Sequence, residues 1–394
     1  MKPGPSVFFV VEDSLKIEDD KISASLASEK SPDIQLSLMI YGLSDHTFRI
    51  TVDESQPLRS RFRANDALLP DIQPQKLQVK AQNSEGVNVS LTESGDWLAL
   101  RFKPFSLDAY SGDDIVLRLN SRGLMRFEHY RKKDSGDSGG GASSDQKWSG
   151  AGGGWLSSVV DMGEWMADKF RSGGSGGEED SAPLSSSSSS DPDDDIADEQ
   201  GFEEGEPVPE GEEEELPPPP EEEDAGMWEE TFKSHTDSKP FDSSSVGIDI
   251  SYVGFDHVYG LPEHADMLDL RQTHGHEPYR LYNLDVFEYE LSSTMALYGA
   301  VPYIIGHSLT KTVGVLFLNA AEMWVDIKSS TADKGILGSI AQSFSSASEA
   351  PQMDTHWFAE SGILDLFLLL GPRPKDVFRQ YAGLTGVTPL PPVC

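Results

Sequence analysis

Apolar and polar side chains alternate with a period of two through most of residues 6–129. In Gln35-Leu36-Ser37-Leu38-Met39-Ile40, Phe48-Arg49-Ile50-Thr51-Val52, Lys76-Leu77-Gln78-Val79 and Val87-Asn88-Val89-Ser90-Leu91 every second residue is apolar. That is the pattern of a strand that buries one face and wets the other. Residues 97–105 and 115–127 continue it, the latter broken at Asn120-Ser121-Arg122-Gly123, where glycine permits the positive φ of a tight turn. Short strands at this spacing predict an antiparallel sandwich rather than a parallel sheet with crossover helices.

The alternation stops at residue 134. Residues 134–226 hold Gly-Gly-Gly, Gly-Gly-Ser-Gly-Gly, six consecutive serines, Asp193-Asp194-Asp195 and a run of prolines from Pro217 to Pro220. Such a composition buries too little apolar area to offset the entropy of ordering, so a disordered insertion is expected. Within it, Trp155, Val159, Met162, Trp165, Met166 and Phe170 recur at helical spacing. They predict a short amphipathic helix over 155–170 that either docks on its own sandwich or recruits a partner.

Met227-Trp228-Glu229-Glu230-Thr231-Phe232 restores aromatic content. Strands are expected around Val246, Ile248 and Ile250, then over 279–282, 286–291, 300–305, 313–318 and 324–327, with a loop carrying one short helix over 328–352. Residues 363–370 form an apolar run of strand length interrupted by Asp365. Residues 374–384 carry Val377, Tyr381 and Leu384 at helical spacing, with Asp376 near the helix start, where the dipole favours a carboxylate. The chain thus divides into a first sandwich portion (5–133), the acidic insertion (134–226), a second sandwich portion (227–388) and a short tail (389–394).

The formal charge is −36, and residues 178–224 hold 21 Asp or Glu and no Lys or Arg, which leaves −36 + 21 = −15 elsewhere. The acidity is mostly one segment's property. No basic surface suited to phosphate is evident, so nucleic acid is not an expected partner. The single cysteine, Cys394, forms no internal disulfide. Only five apolar residues, Val7 to Val11, follow the start. That is too short for a signal-peptide core, and no stretch reaches the roughly 18 apolar residues of a membrane span.

Candidate chemistry concentrates in residues 257–327. His257, Tyr259, Glu263, His264, Tyr279, Arg280, Tyr282, Asn283, Asp285 and Tyr289 set planar rings beside hydrogen-bonding groups, which is what a sugar requires of its site. His257, His264, His274 and His276 with Glu263 and Asp266 are metal-ligand types, but no His-Glu-x-x-His or paired Cys/His spacing joins them, so neither a metal nor a cofactor is expected. Glycosidic hydrolysis needs two facing carboxyl groups, and composition cannot select them from 67 acids. Asn88-Val89-Ser90 matches the N-glycosylation triplet.

Three segments carry a family resemblance. Val258-Tyr259-Gly260-Leu261-Pro262-Glu263-His264-Ala265, the run from Pro278 through Tyr282-Asn283-Leu284-Asp285 to Leu291, and Met295-Ala296-Leu297-Tyr298-Gly299-Ala300-Val301-Pro302 resemble the N-terminal half of family 31 glycoside hydrolases, with Arg118-Leu119-Asn120-Ser121-Arg122-Gly123-Leu124 as a further anchor. The resemblance implies an all-β fold, a galactose-mutarotase-like sandwich interrupted by the acidic insertion. It also implies the accessory, carbohydrate-binding region of an alpha-glucosidase in the endoplasmic reticulum lumen. Such an enzyme trims alpha-1,3-linked glucose from N-linked glycans beside a noncatalytic beta subunit. Asp285 would then accept hydroxyls of the terminal glucose, with Tyr282, Asn283 and Tyr289 as weaker candidates. No catalytic residue is implied here. The family's nucleophile motif, of the type Trp-x-Asp-Met-Asn-Glu, lies on a barrel beyond Leu390-Pro391-Pro392, and Trp324-Val325-Asp326 is only a superficial analogue. The surface facing that barrel is expected near the apolar run 363–370. The rival reading is a stand-alone carbohydrate- or partner-binding sandwich on a flexible acidic tether.

Overall fold

The computed structural model describes residues 7–92, 94–133, 227–232, 235–273, 277–331 and 350–390. The expected insertion 134–226, its helix at 155–170, and His274 and His276 lie outside the described residues. Before the insertion run β1 (Phe8–Ile17), β2 (Lys21–Ser28), β3 (Ser31–Leu43), β4 (Thr47–Glu54), β5 (Leu77–Asn83), β6 (Gly86–Leu91), β7 (Trp97–Arg101), β8 (Ser106–Ser111), β9 (Asp114–Leu119) and β10 (Arg126–Phe127). After it come β11 (Trp228–Phe232), β12 (His235–Lys239), β13 (Val246–Val253), β14 (His257–Gly260), β15 (Tyr279–Leu281), β16 (Tyr303–His307), β17 (Thr312–Phe317), β18 (Met323–Thr331), β19 (Pro351–Ala359), β20 (Leu364–Leu369) and the helix α1 (Pro374–Thr385).

These strands form two large sheets, ordered β1-β2-β3-β4-β20-β17-β16-β14 and β15-β18-β19-β13-β9-β8-β7-β6-β5, with β10 added to β13 and β11 paired with β12. Every pairing is antiparallel. The fold is the all-β antiparallel sandwich that the alternation predicts. The period-two residues supply its core: Leu36, Leu38 and Ile40, Phe48, Ile50 and Val52, and Val87, Val89 and Leu91 are all buried in one cluster. Each such side chain stabilises the fold by about 1.5–3 kcal/mol relative to exposure. At the break in the second run, Asn120 and Gly123 both take positive φ, at 54° and 67°.

Sequence on either side of 134–226 is interleaved in both sheets. β4 pairs with β20, from Thr47 opposite Leu369 to Val52 opposite Leu364, and β9 pairs with β13 from Leu117 to Leu119. The chain ends flanking the insertion also meet, with Lys133 Nζ 3.1 Å from the Met227 carbonyl. A protein cut at a protease site placed between residues 133 and 227 is therefore expected to elute as one particle from a sizing column without denaturant. Separate elution of the two fragments would contradict the shared ladders.

Two expectations are corrected. The apolar run 363–370 presents no surface to a neighbour, because β20 is buried on both faces. Leu364, Leu366 and Leu368 enter the main core, while Phe367 and Leu369 pack under α1 with Val377 and Leu384. Asp365 tolerates this burial through a two-pronged bond from Arg49, at 2.8 and 2.6 Å. The second correction is that residues 286–291 form no strand. Val286-Phe287-Glu288-Tyr289 alternates, yet Phe287, Tyr289 and Leu291 point outward into solvent, so the period marks an exposed rim rather than a core face. The helix follows its sequence: Pro374 opens it, and the Asp376 carboxylate accepts the Arg373 N–H at 3.1 Å. Hydrogen bonds from Arg373 hold Asp376 well below the usual carboxylate range.

Candidate functional site

The segment richest in sugar-compatible side chains lies where the two sheets end. β14 is the last strand of one sheet and β15 the last of the other, and residues 282–302 cross from β15 back to β16. With almost no sheet pairing of its own, this crossing is held by the chain around Glu263. Glu263 N–H donates to Gly299 O (2.8 Å), Gly299 N–H donates to the Glu263 carboxylate (2.8 Å), and Val301 N–H donates to Pro262 O (3.0 Å). The approach is close, since a Cβ added at Gly299 would stand 3.0 Å from the Glu263 carboxyl carbon. A further rung runs from Leu284 N–H to Leu297 O at 2.8 Å.

Asp285 sits exposed on this crossing. The Tyr298 hydroxyl donates to the Val286 carbonyl at 3.1 Å, and the neighbouring Asp285 carboxylate raises the phenol above its ordinary pKa. Asn283 donates its side-chain amide to Tyr298 O at 2.7 Å. Asn283 thus supports the loop, and Tyr298 braces Asp285 through the carbonyl of the next residue, Val286. Tyr282 is half exposed, with the Arg280 guanidinium 4.6 Å from its ring centre, while Arg280 is itself bonded to Glu322 at 2.6 Å. Tyr289 is exposed beside Phe287, Leu291 and Met295. The structure therefore gathers Asp285, Asn283 and Tyr298 and leaves Tyr289 on the rim. Tyr298 falls inside the third resembling segment, but nothing in an isolated aromatic residue announces its partner.

The metal-ligand types are engaged elsewhere. Both ring nitrogens of His264 face backbone carbonyls, of Leu261 and Arg280, and His257 pairs with Asp269 at 2.8 Å. Asp266 accepts from Arg271 (2.8 Å) and Tyr279 (2.9 Å). Burial opposes its ionisation, but these bonds hold the carboxyl below its ordinary value. Burial, with Asp266 beside it, pushes the Tyr279 phenol up to about 12. No group of three or more His, Cys, Asp or Glu suited to a metal occurs among the described residues.

A cavity of about 300 Å³ opens beside the crossing at Arg271, Gln272, Thr273, Glu277 and Thr294, and Asp285 is not in its wall. Asp285 projects from an outward-facing rim instead. Its carboxylate is exposed beside Tyr298, and an ionised carboxylate is an acceptor only.

Comparison with known proteins agrees with this fold. Residues 37–326 match the Glycosyl hydrolase 31 N-terminal galactose mutarotase-like domain. Neutral alpha-glucosidase AB of Mus musculus is 38% identical over 400 residues, which is 100% of this chain and 36% of that protein. The crystal structure of an ER glucosidase II heterodimeric complex, of the catalytic subunit and the binding domain of the regulatory subunit, superposes with a TM-score of 0.67 at 28% identity, covering 98% of this chain and 35% of that one. An alpha3-Glc2-bound structure of a glucosidase II alpha subunit gives a TM-score of 0.66 at 27% identity, with 98% and 35% covered. The chain spans about a third of the length of these relatives. It belongs to glycoside hydrolase family 31, as the N-terminal galactose mutarotase-like domain.

Proposed function

We propose that this chain is the accessory N-terminal region of an alpha-glucosidase, and that its Asp285 holds the terminal glucose of an N-linked glycan while residues beyond this region carry out hydrolysis. The observation that carries the reading is the display of Asp285. It stands on an exposed crossing beside Tyr298, and the same crossing also exposes Phe287, Tyr289, Leu291 and Met295. A cluster of apolar side chains on a protein surface is what a second surface covers. A carboxylate amid such a cluster reaches the edge of whatever pocket that second surface completes.

The relatives support the finer reading. One is bound to alpha3-Glc2 and another is paired with a regulatory subunit's binding domain. On that basis the substrate is an alpha-1,3-glucosylated glycan, the partner a noncatalytic beta subunit, and the compartment the endoplasmic reticulum lumen. Tyr298→Phe, made in this region joined to a family 31 catalytic region, tests the bracing role. Losing the hydroxyl removes about one hydrogen bond, so kcat/KM on an alpha-1,3-glucoside should fall by roughly three- to tenfold, with the melting temperature unchanged. Unchanged kcat/KM with a lowered melting temperature would make Tyr298 a packing residue only.

A further inference from the structure

β6 carries the chain's single Asn-x-Ser/Thr triplet, Asn88-Val89-Ser90, and nothing in the sugar-contact reading uses it. The strand lies next to β5 at the opposite end of its sheet from β15. Val87, Val89 and Leu91 enter the core, which puts Asn88 on the outer face, partly exposed. Its cross-strand neighbours are Ala81 on β5 and Ala99 on β7. Two methyl groups therefore flank it, and beyond Ala81 the edge strand is open to solvent. Two pairs further along the ladder, Trp97 faces Ser90. Its ring stacks on Tyr110 at 3.6 Å and 9°, with Lys80 Nζ 5.0 Å above it and its N–H bonded to Gly112 O at 2.8 Å. The Trp97 ring is thus held in place on the strand beside Asn88.

We propose that Asn88 is an N-glycosylation site whose first N-acetylglucosamine rests over Ala81 and Ala99 beside the Trp97 ring. The inference relies on the secretory placement proposed above. In the transfer, Asn88 Nδ2 attacks C1 of the N-acetylglucosamine of a lipid-pyrophosphate-linked oligosaccharide. The N–C1 bond forms as the C1–O bond breaks, the lipid pyrophosphate leaves with the electron pair, and one Nδ2 proton passes to a base of the transferase. Ser90, whose hydroxyl the transferase must recognise, is 4% exposed once folded and lies under the Gln78 carbonyl. Transfer therefore precedes the closing of β5 and β6, on the nascent chain.

The test is a peptide map of the full chain made behind a secretory leader in eukaryotic cells, read before and after a glycan-releasing amidase. One glycan is expected, at Asn88, absent from Asn88→Gln and Ser90→Ala and retained in Ser90→Thr. Circular dichroism of Asn88→Gln should match the parent, so that loss of the glycan is not loss of fold. A secreted, folded parent chain with Asn88 unmodified would overturn the proposal. Mapping the protein from its own cells separates this site from the compartment reading. Asn88 unmodified there, but modified behind the leader, supports the site and removes the secretory placement.

Discussion

Arg61→Met is expected to destabilise the fold by about 3–5 kcal/mol, the usual cost of leaving one partner of a buried ion pair alone. The Arg61 side chain is 0% exposed and that of its partner Glu54 6%, with 2.6 Å between them. Arg61 also donates to Ser244 O at 2.8 Å, to Gly362 O at 2.9 Å and to Glu128 O. Its guanidinium lies 4.6 Å from the ring centres of both Phe127 and Tyr130. One side chain thus joins the end of β4 to the approaches to β13 and β20, on both sides of the 134–226 insertion. Methionine fills much of the volume but strands the Glu54 carboxylate and three carbonyls. Glu54→Leu alone should cost a similar amount, and the double variant clearly less than the sum, because no lone charge remains. Denaturant unfolding of the three variants measures this. A loss under about 1 kcal/mol for Arg61→Met would place the pair with ordinary surface ion pairs.

The alternation in β3, β4 and β6 was readable because each strand turns its apolar side chains to one face. The continuous run at β20 was readable as a strand, but not as one covered on both sides, since its outer cover, α1, follows in sequence without signalling where it packs. β19 is where the pattern fails. Met353, Trp357 and Ala359 enter the core, while Gln352, Asp354 and His356 on the other face are also buried. Asp354 accepts bonds from Ser251 (2.6 Å), Gln352 (2.7 Å), Ser330 (2.6 Å) and Arg122. A strand whose polar face is buried in its own hydrogen-bond network looks like a loop to any reading of hydropathy. The error at 286–291 is the converse, an alternation with no core beneath it. In the candidate site, Asp285 was reachable through a resembling motif. Its proximity to Tyr298 was not, because the Leu284–Leu297 rung and the Asn283 amide bring the two ends of the crossing together.

Asp285→Asn is the second large effect expected, now on activity. If the carboxylate accepts hydroxyls of the glucose being cleaved, the amide keeps its shape but loses charge-assisted bonding. The loss should be about 1.5–3 kcal/mol, or roughly ten- to a hundredfold in kcat/KM. The fold should not respond, because Asp285 is exposed and asparagine still offers Tyr298 an acceptor. The exposed Asp256, in the turn between β13 and β14, serves as a control whose change to asparagine should alter neither quantity.

The most direct test is therefore kcat/KM on an alpha-1,3-glucoside, measured beside the melting temperature for Asp285→Asn in this region joined to a family 31 catalytic region. A ten- to hundredfold loss of kcat/KM at unchanged melting temperature is the result expected of a sugar-contacting carboxylate. Activity within about twofold of the parent would contradict it and leave Asp285 as a support for its own loop.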